Sequence, residues 1–454
     1  MRILVVGAGK VGFSIAEKLV LEGHSVVVLD RNPETLARIS DSIDVLCIEG
    51  NGANAAALTE AGADRADIVV AATQSDETNM LCCLLCKRMG TQYAIARIRD
   101  PEYTDSLQVL QREMDIDKTV NPEKATALEI SRIMRYPYAT DLEYFAKGRV
   151  EMVAFRAQEG DSVIGIPLCE ISRKCKNIPN VLYAACERGE NIFIPNGQFI
   201  IQPGDKVYVV AETITITAFF DYLGKETLKV RNVMLLGGGR ISYYLAREIE
   251  PMGINVNLIE IDEEKAAALS VQLPEVNVIL GDGTDVGLLK QENLNLMDVF
   301  VTLTGRDEEN LMMGLMAQKM GVPKVIVKNN RLTYAGLLEG MGLDSSVSPK
   351  DITTANVLRY VRGRANVKGT KIERLYRLLN GKAEALEFIS REGDSYIGIP
   401  LKNLRIREGS LVACIVRRGH VVVPFGHDVI EVGDYVLIIT KETGITDLNE
   451  VIRK

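Results

Sequence analysis

The chain carries one pattern twice. Residues 160–168 read GDSVIGIPL and residues 393–401 read GDSYIGIPL. Upstream, Gly7-Ala8-Gly9-Lys10-Val11-Gly12 has a counterpart in Gly237-Gly238-Gly239-Arg240-Ile241-Ser242. An acid follows each loop, 23 residues after its first glycine: Asp30 in one copy and Glu260 in the other. Residues 73–79 (TQSDETN) return as residues 304–310 (TGRDEEN), with Thr, Asp, Glu and Asn in the same places. A solenoid unit spans roughly 20–50 residues. A period of about 230 residues is therefore a tandem duplication of a half that already holds more than one domain. A duplicated nucleotide-type fold points to a sensor with two sites more readily than to one catalytic cleft.

Each half begins with short, almost continuously apolar runs. In the first half these are residues 2–6, 26–29, 45–48, 68–72 and 93–96, and helical stretches such as 33–39 and 77–89 lie between them. Alternating apolar strands and helices predict a doubly wound, Rossmann-like parallel sheet in an α/β fold, with the ligand crevice at the C-terminal strand ends. The second half repeats the order with runs at 233–236, 256–259, 276–280, 299–303 and 325–327. From Val150 the texture changes to short alternating runs separated by Gly, Pro and Asn, which predicts a small β-rich α+β domain. A second such domain is expected from about Ala383. The expected division is 1–140 and 231–370 for the nucleotide-type domains, 145–215 and 378–454 for the small domains, and a linker over 216–230.

The first glycine loop follows a strand and opens a helix. Gly7 permits the tight turn, Gly9 lets a pyrophosphate approach the backbone, and Gly12 permits close helix–strand packing. Free N–H groups at the helix start then favour phosphate. Asp30 ends the second strand, where a carboxylate accepts from ribose hydroxyls and repels a 2′-phosphate, favouring NAD(H) or an adenine nucleotide. The adjacent Arg31 argues the other way, since a guanidinium accommodates phosphate. In the second loop Ser242 replaces the third glycine, which is expected to widen the helix–strand contact. Arg240 there is a candidate phosphate ligand, and Glu260 keeps the carboxylate. Arg97 and Arg99 follow the fifth strand and Lys328 aligns with Arg97. They read either as phosphate-binding cations or as surface charges paired with acids such as Asp100. Asp76 and Asp307, with Glu77 and Glu308, are expected to stabilise helix N-termini.

Composition narrows the function classes. Lys plus Arg is 53 against 61 for Asp plus Glu, a net charge of −8, which argues against nucleic-acid binding through bulk electrostatics. The first strand starts at Arg2, without a charged segment leading into an apolar one, and no apolar run approaches the roughly 18 residues of a membrane span. A soluble, cytoplasmic chain is expected. Cys82, Cys83 and Cys86 lie close together, but no second Cys or His pair completes a tetrahedral site, so they are expected to pack a core helix. The three histidines, His24, His420 and His427, sit outside the glycine-loop regions. Hydride transfer usually needs a proton donor beside the nicotinamide, and none is evident.

These motifs together resemble the TrkA family, the regulatory subunits of Trk potassium-uptake systems. That family has two repeats, each an RCK/KTN nucleotide-binding domain followed by an RCK-C domain. The marks of the resemblance are the Gly7–Gly12 loop with Asp30, the T-x-x-D-E-x-N motif in both halves, and the paired GDSxIGIPL segments. The resemblance implies a non-enzymatic gating subunit that binds NAD(H) and ATP or ADP. It also implies a homotetrameric ring beneath a TrkH- or TrkG-type membrane protein, peripheral to the inner face of the cell membrane. It assigns the first nucleotide to Gly7, Ala8, Gly9, Lys10, Val11, Gly12 and Asp30. Asn51 with Gly52, and Asp282 in the second half, stand where the family contacts adenosine. Thr73 and Thr304 line the crevices. Two other readings stay open: an NAD-dependent oxidoreductase, and a regulator of another cation channel or efflux system.

Overall fold

The computed structural model describes residues 1–103, 106–136, 139–225, 230–330, 343, 345–365, 372–378, 382–442, 445 and 447–453. In the first half, strands β1 (Arg2–Val6), β2 (Ser25–Asp30), β3 (Leu46–Glu49), β4 (Ile68–Ala71), β5 (Tyr93–Arg97) and β6 (Lys118–Val120) form one parallel sheet in the order β3-β2-β1-β4-β5-β6. Helices α1 (Lys10–Leu21), α2 (Pro33–Ser42), α3 (Ala55–Glu60), α4 (Asp76–Met89) and α5 (Leu107–Glu113) connect them, and α6 (Pro122–Arg135) follows the last strand. This is the expected Rossmann-like order, with its reversal point between β1 and β4. Central strands are buried on both faces, so their residues are apolar throughout rather than alternately. Cys82, Cys83 and Cys86 are buried in the core between this sheet and α4, as small apolar residues.

A small antiparallel sheet follows, built from β7 (Ala139–Phe145), β8 (Val150–Arg156), β9 (Leu182–Arg188), β10 (Asn191–Phe193) and β11 (Lys206–Ala211) in the order β10-β9-β11-β8-β7. Helices α7 (Leu168–Lys174) and α8 (Thr213–Tyr222) belong with it. Two details differ from the sequence reading. Strand β7 starts before residue 145; it is a sheet edge, where charged residues at alternate positions are normal and mask the strand pattern. Residues 216–230 are not simply a linker. Ile216, Phe219 and Phe220 of α8 are buried in the core beside Phe155, whose ring centroid lies 5.8 and 5.6 Å from those of Phe219 and Phe220. The run TITIT has β-branched residues that disfavour helix, and aromatic packing overrides that preference.

The second half repeats the plan. Strands β12 (Asn232–Leu236), β13 (Asn255–Glu260), β14 (Asn277–Leu280), β15 (Val299–Thr302), β16 (Lys324–Lys328) and β17 (Ser346–Val347) take the order β14-β13-β12-β15-β16-β17. Helices α9 (Arg240–Ile249), α10 (Glu263–Gln272), α11 (Val286–Gln291) and α12 (Asp307–Lys319) connect them, and α13 (Pro349–Ala365) follows. Val357, Leu358 and Val361 of α13 are buried not on their own sheet but against the first one, among Ile3, Val5, Ile15 and Val28. The second small sheet contains β18 (Ile372–Leu378), β19 (Ala383–Ile389), β21 (Ser410–Arg417), β22 (His420–Val422) and β23 (Tyr435–Thr440), with β20 (Arg405–Ile406) and β24 (Ile452–Arg453) paired beside it.

The chain divides into two compact units. One holds residues 1–131 and 230–361, and the other holds 132–229 and 362–454. Within the second unit the two small sheets share a core that includes Phe145, Tyr208, Tyr376, Ala385 and Ile439. Each small domain closes one turn with the same clamp. Arg188 donates from Nε and Nη2 to the Asp205 carboxylate at 2.8 and 2.7 Å, and Arg417 does so to Asp434 at 3.0 and 2.8 Å. Both acids are almost fully buried, and each also accepts a backbone N–H, from Gln202 and Glu431. Burial opposes ionisation of Asp205, but the Arg188 and backbone hydrogen bonds outweigh it and hold the carboxyl below its ordinary value.

Asp205→Asn is therefore expected to lower stability by about 1–3 kcal/mol at neutral pH. A carboxyl depressed in the folded state stabilises fully above its unfolded pKa of about 3.9, and that contribution fades as pH falls through the folded value. The gap in melting temperature between wild type and Asp205→Asn should be full at pH 7 and shrink on acidification below pH ~4. A gap independent of pH would remove charge pairing from the account.

Candidate functional site

The Gly7–Gly12 loop leaves β1 and opens α1. Gly7 has φ +99°, and its N–H donates to Leu29 O at 2.8 Å. A side chain at Gly12 is impossible without rearrangement, because its Cβ would lie 1.8 Å from Gly7 O. Helices α2, α3 and α4 are capped by the side chains of Asn32, Asn54 and Ser75. Helix α1 starts at Gly9, which has no side chain to cap it. Its first N–H groups are left for an external acceptor, favoured by the helix dipole when that acceptor is an anion.

Asp30 does more than end β2. Its Oδ2 accepts from Ala8 N–H at 2.5 Å and its Oδ1 from Asn32 N–H at 2.9 Å, so it also braces the glycine loop. Arg31 donates to Asn51 Oδ1 at 2.5 Å, and Asn51 Oδ1 also accepts from Ala53 N–H at 3.0 Å.

The T-x-x-D-E-x-N motif gains a physical meaning. Asn79 is fully buried. Its Oδ1 accepts from Thr73 N–H at 2.8 Å and Thr73 Oγ1–H at 2.7 Å, and its Nδ2 donates to Thr73 O at 3.2 Å and Arg97 O at 2.8 Å. One carboxamide thus ties the end of β4 to the end of β5. Asn310 does the same with Thr304 N–H, Thr304 O and Lys328 O, at 2.9, 3.2 and 3.1 Å. Asp76 lies in the first turn of α4 as expected, but it also accepts from the N–H groups of Arg99 and Asp100 at 2.7 and 2.8 Å. Asp307 likewise holds Asn330, with contacts of 3.1 Å to its N–H and side chain. These acids fix the turn after the fifth strand, a role that sequence reading missed.

A cavity of about 670 Å³ opens at this sheet edge. Of the expected residues, Gly7, Gly9, Lys10, Val11, Asp30, Arg31, Gly52, Thr73, Arg97 and Arg99 line it. Ala8, Gly12 and Asn51 stand behind as its supports. The second half contributes Asn330, Pro349 and Lys350, none of them anticipated, and Glu123 joins from the start of α6. Arg97 is mostly buried, 4.0 Å from Glu123. Burial, and then the neighbouring Arg99, push its guanidinium below the ordinary value. Its Nε has no hydrogen-bond partner among the described residues. Arg99 lies 3.5 Å from Asp76 and donates to Gln74 O. Both arginines line the cavity, and each also stands beside an acid, Arg97 by Glu123 and Arg99 by Asp76.

The second half keeps the design with altered fittings. Glu260 is buried, accepting from Gly238 N–H at 2.7 Å and Asp262 N–H at 2.9 Å. Ser242 donates to Gly237 O. The loop stands off further: a Cβ on Gly237 would lie 3.2 Å from Thr304 N, against 2.7 Å between Gly7 and Thr73 N. Gly239 opens α9, and Ile241 is buried in its first turn. Asp282 is exposed and caps its own turn, accepting from Thr284 N–H at 2.9 Å, and the Thr284 hydrogen bonds lower its pKa. Burial lowers the pKa of Lys328, which donates to Leu303 O at 3.3 Å. Arg240 reaches Asp100 at 3.4 Å, and Tyr244 Oη donates to Arg99 O at 2.8 Å, so α9 is fastened to the first-half turn.

Comparison with known proteins follows the same division. The TrkA-N domain family matches residues 3–122 and 233–349, and the TrkA-C domain family matches residues 152–224 and 386–453. The Trk system potassium uptake protein TrkA homolog 2 of Methanosarcina mazei is 31% identical over 461 residues, covering 100% of both chains. The Trk system potassium uptake protein TrkA of Vibrio alginolyticus is 32% identical, covering 96% of this chain and 95% of its own. Among solved structures, the GsuK RCK domain matches with a TM-score of 0.62 at 16% identity, covering 96% of this chain and 92% of that one. The GsuK channel bound to NAD matches with a TM-score of 0.63, also at 16% identity, covering 97% and 76%. At that identity these two structures speak to the fold alone.

The two loops trade volume. Ala8 pairs with Asp30, and Gly238 pairs with the longer Glu260; a Cβ on Gly238 would lie 2.8 Å from Glu260 Oε2 and 2.6 Å from Leu269 Cδ1. Gly238→Ala is expected to cost about 1–3 kcal/mol by overpacking, and adding Glu260→Asp should recover the part of that loss due to Glu260. A thermal-melt double-mutant cycle measures the coupling; strictly additive effects would disprove it.

Proposed function

This chain belongs to the TrkA family of potassium-uptake proteins, and on that premise we propose that it is the nucleotide-binding regulatory subunit of a Trk-type potassium uptake system. The carrying observation is the make-up of the first-half cavity. An uncapped helix start, the Asp30 carboxylate and the half-desolvated Arg97 guanidinium all border one space. A phosphate entering it meets the open N–H groups at the start of α1 and the mostly buried Arg97, and its charge offsets the cost of keeping Arg97 buried. NAD(H), ATP and ADP all present such phosphates beside an adenosine ribose that Asp30 can accept from.

The site residues of the first half are Gly7, Ala8, Gly9, Lys10, Val11, Gly12, Asp30, Arg31, Asn51, Gly52, Thr73, Arg97 and Arg99. A second site is formed by Gly237, Gly239, Arg240, Ile241, Glu260, Asp282, Thr304 and Lys328. Residues up to about 140 and from 231 to about 365 make the nucleotide-type domains, and the two small sheets make the RCK-C domains. The protein does no chemistry of its own.

No helix among the described residues is long and apolar enough to cross a membrane. From its family, the reading places the chain in the cytoplasm, against the inner face of the membrane through a TrkH- or TrkG-type potassium-translocating partner. Four copies with two nucleotide-type domains each close a ring. A nucleotide shifts such a ring only by its difference in affinity for two ring states, typically about 1–3 kcal/mol.

Three measurements test this reading. Light scattering on the purified chain should give a homotetramer, and a monomer at micromolar concentration would defeat the ring. Calorimetry with NADH, NAD, ATP and ADP should show binding that Asp30→Ala weakens by about 1.5–3 kcal/mol. In vesicles holding the membrane subunit, potassium flux should respond to this protein and to nucleotide, with the response flattened by Arg97→Ala. Flux indifferent to both would sink the regulatory reading.

A further inference from the structure

The first-half cavity is built by both halves of the chain. Asn121-Pro122-Glu123 opens α6, and Ser348-Pro349-Lys350 opens α13 at the same place in the repeat. Both proline-led turns reach the same cavity, so an acid and a base from equivalent positions share it. Helix α13 is not free to move away. Its Val357, Leu358 and Val361 are buried in the first-half core, and Thr354 Oγ1 donates to Ser14 Oγ at 3.1 Å. Thr354 lies four residues past Lys350, as Ser14 lies four past Lys10. With both helix starts on the cavity, the two lysines come to the same end of a pair of fastened helices.

Several other charges of the cavity have close partners. Asp30 holds Ala8 and Asn32, Glu123 lies beside Arg97, and Arg99 lies beside Asp76. Lys350 is only 22% exposed, and its carboxylate neighbour Asp351 is 3.9 Å away, the outer limit of an ion pair. Asp30 ends β2, the glycine loop leaves β1 and Arg97 ends β5. In the strand order β2-β1-β4-β5, a phosphate chain that starts near Asp30 runs past the start of α1, where Lys10 stands, toward Arg97.

Resting on the nucleotide reading above, we propose that Lys350 is a specificity-determining residue of the first-half site. Its ammonium pairs with the distal phosphates of a nucleoside di- or triphosphate, so the cavity ranks nucleotides by phosphate number. The second half thereby takes a direct part in reading the ligand of the first.

The test is calorimetry of AMP, ADP and ATP binding to the full chain, as wild type, Lys350→Gln and Lys350→Arg. Wild type should bind in the order AMP, ADP, ATP, from weakest to tightest. Lys350→Gln should lose about tenfold in affinity for ATP and less than about twofold for AMP, and Lys350→Arg should keep the wild-type ranking. Lys350→Met, which keeps the alkyl stem, serves if the Gln variant is unstable. Equal losses for all three nucleotides, or no loss, would overturn the role of Lys350 while leaving the nucleotide site intact. A wild type that binds NADH but none of the three would overturn this inference alone, and one that binds neither NADH nor any of the three would overturn the nucleotide reading with it.

Discussion

A single buried carboxamide holds the ligand edge of each large sheet together. Asn79 satisfies two groups on Thr73 through its oxygen and two carbonyls through its nitrogen, and Asn310 repeats this except that its oxygen takes only the Thr304 N–H. The net gain from each such bond is about 1 kcal/mol, but an unsatisfied buried partner costs about 1–3. An apolar residue here would orphan the end of β4 and the end of β5 together. Thr73 and Arg97 stand on those two ends, so the spacing between the crevice wall and its principal cation is set by Asn79 rather than by either residue itself.

Much of this was legible in the sequence, because it rests on local rules. The glycine loop, the acid at the end of the second strand and the apolar strand runs are each fixed by neighbours close in the chain, and the structure has all three. The helix α8 was not legible, since TITITAFFDY carries β-branched residues and takes its form from Phe155 across the small domain. Edge strands β7 and β18 were not legible as strands, since charged residues at alternate positions mask the pattern of a sheet edge. Lys350 and Asn330 could not be assigned to the first cavity from spacing, because only the docking of the two halves brings them there. The one available signal was the repeat itself: Pro349-Lys350 stands where Pro122-Glu123 stands.

The two halves are copies that have moved apart in a consistent direction. The first keeps a tight loop in which Gly12 leaves no room for a side chain. The second admits Ser242, stands further from Thr304 and fills the vacated space with Glu260. Each change is small and each is compensated next door, which is how close-packed interiors tolerate substitution. The result is two glycine loops of one architecture with different packing and different charge beside them.

The packing of α13 also bears on how the chain comes into being. The face of the first sheet that carries Ile3, Val5, Val26 and Val28 is completed by Val357, Leu358 and Val361, which the ribosome delivers long after the strands themselves. At about 5–20 residues per second, that face waits on the order of tens of seconds for its last cover. A nascent first half is thus sticky on one side until the second half arrives, a hazard of aggregation that a chain of two self-sufficient halves would not face. The duplication is written as two copies, but it matures as one object.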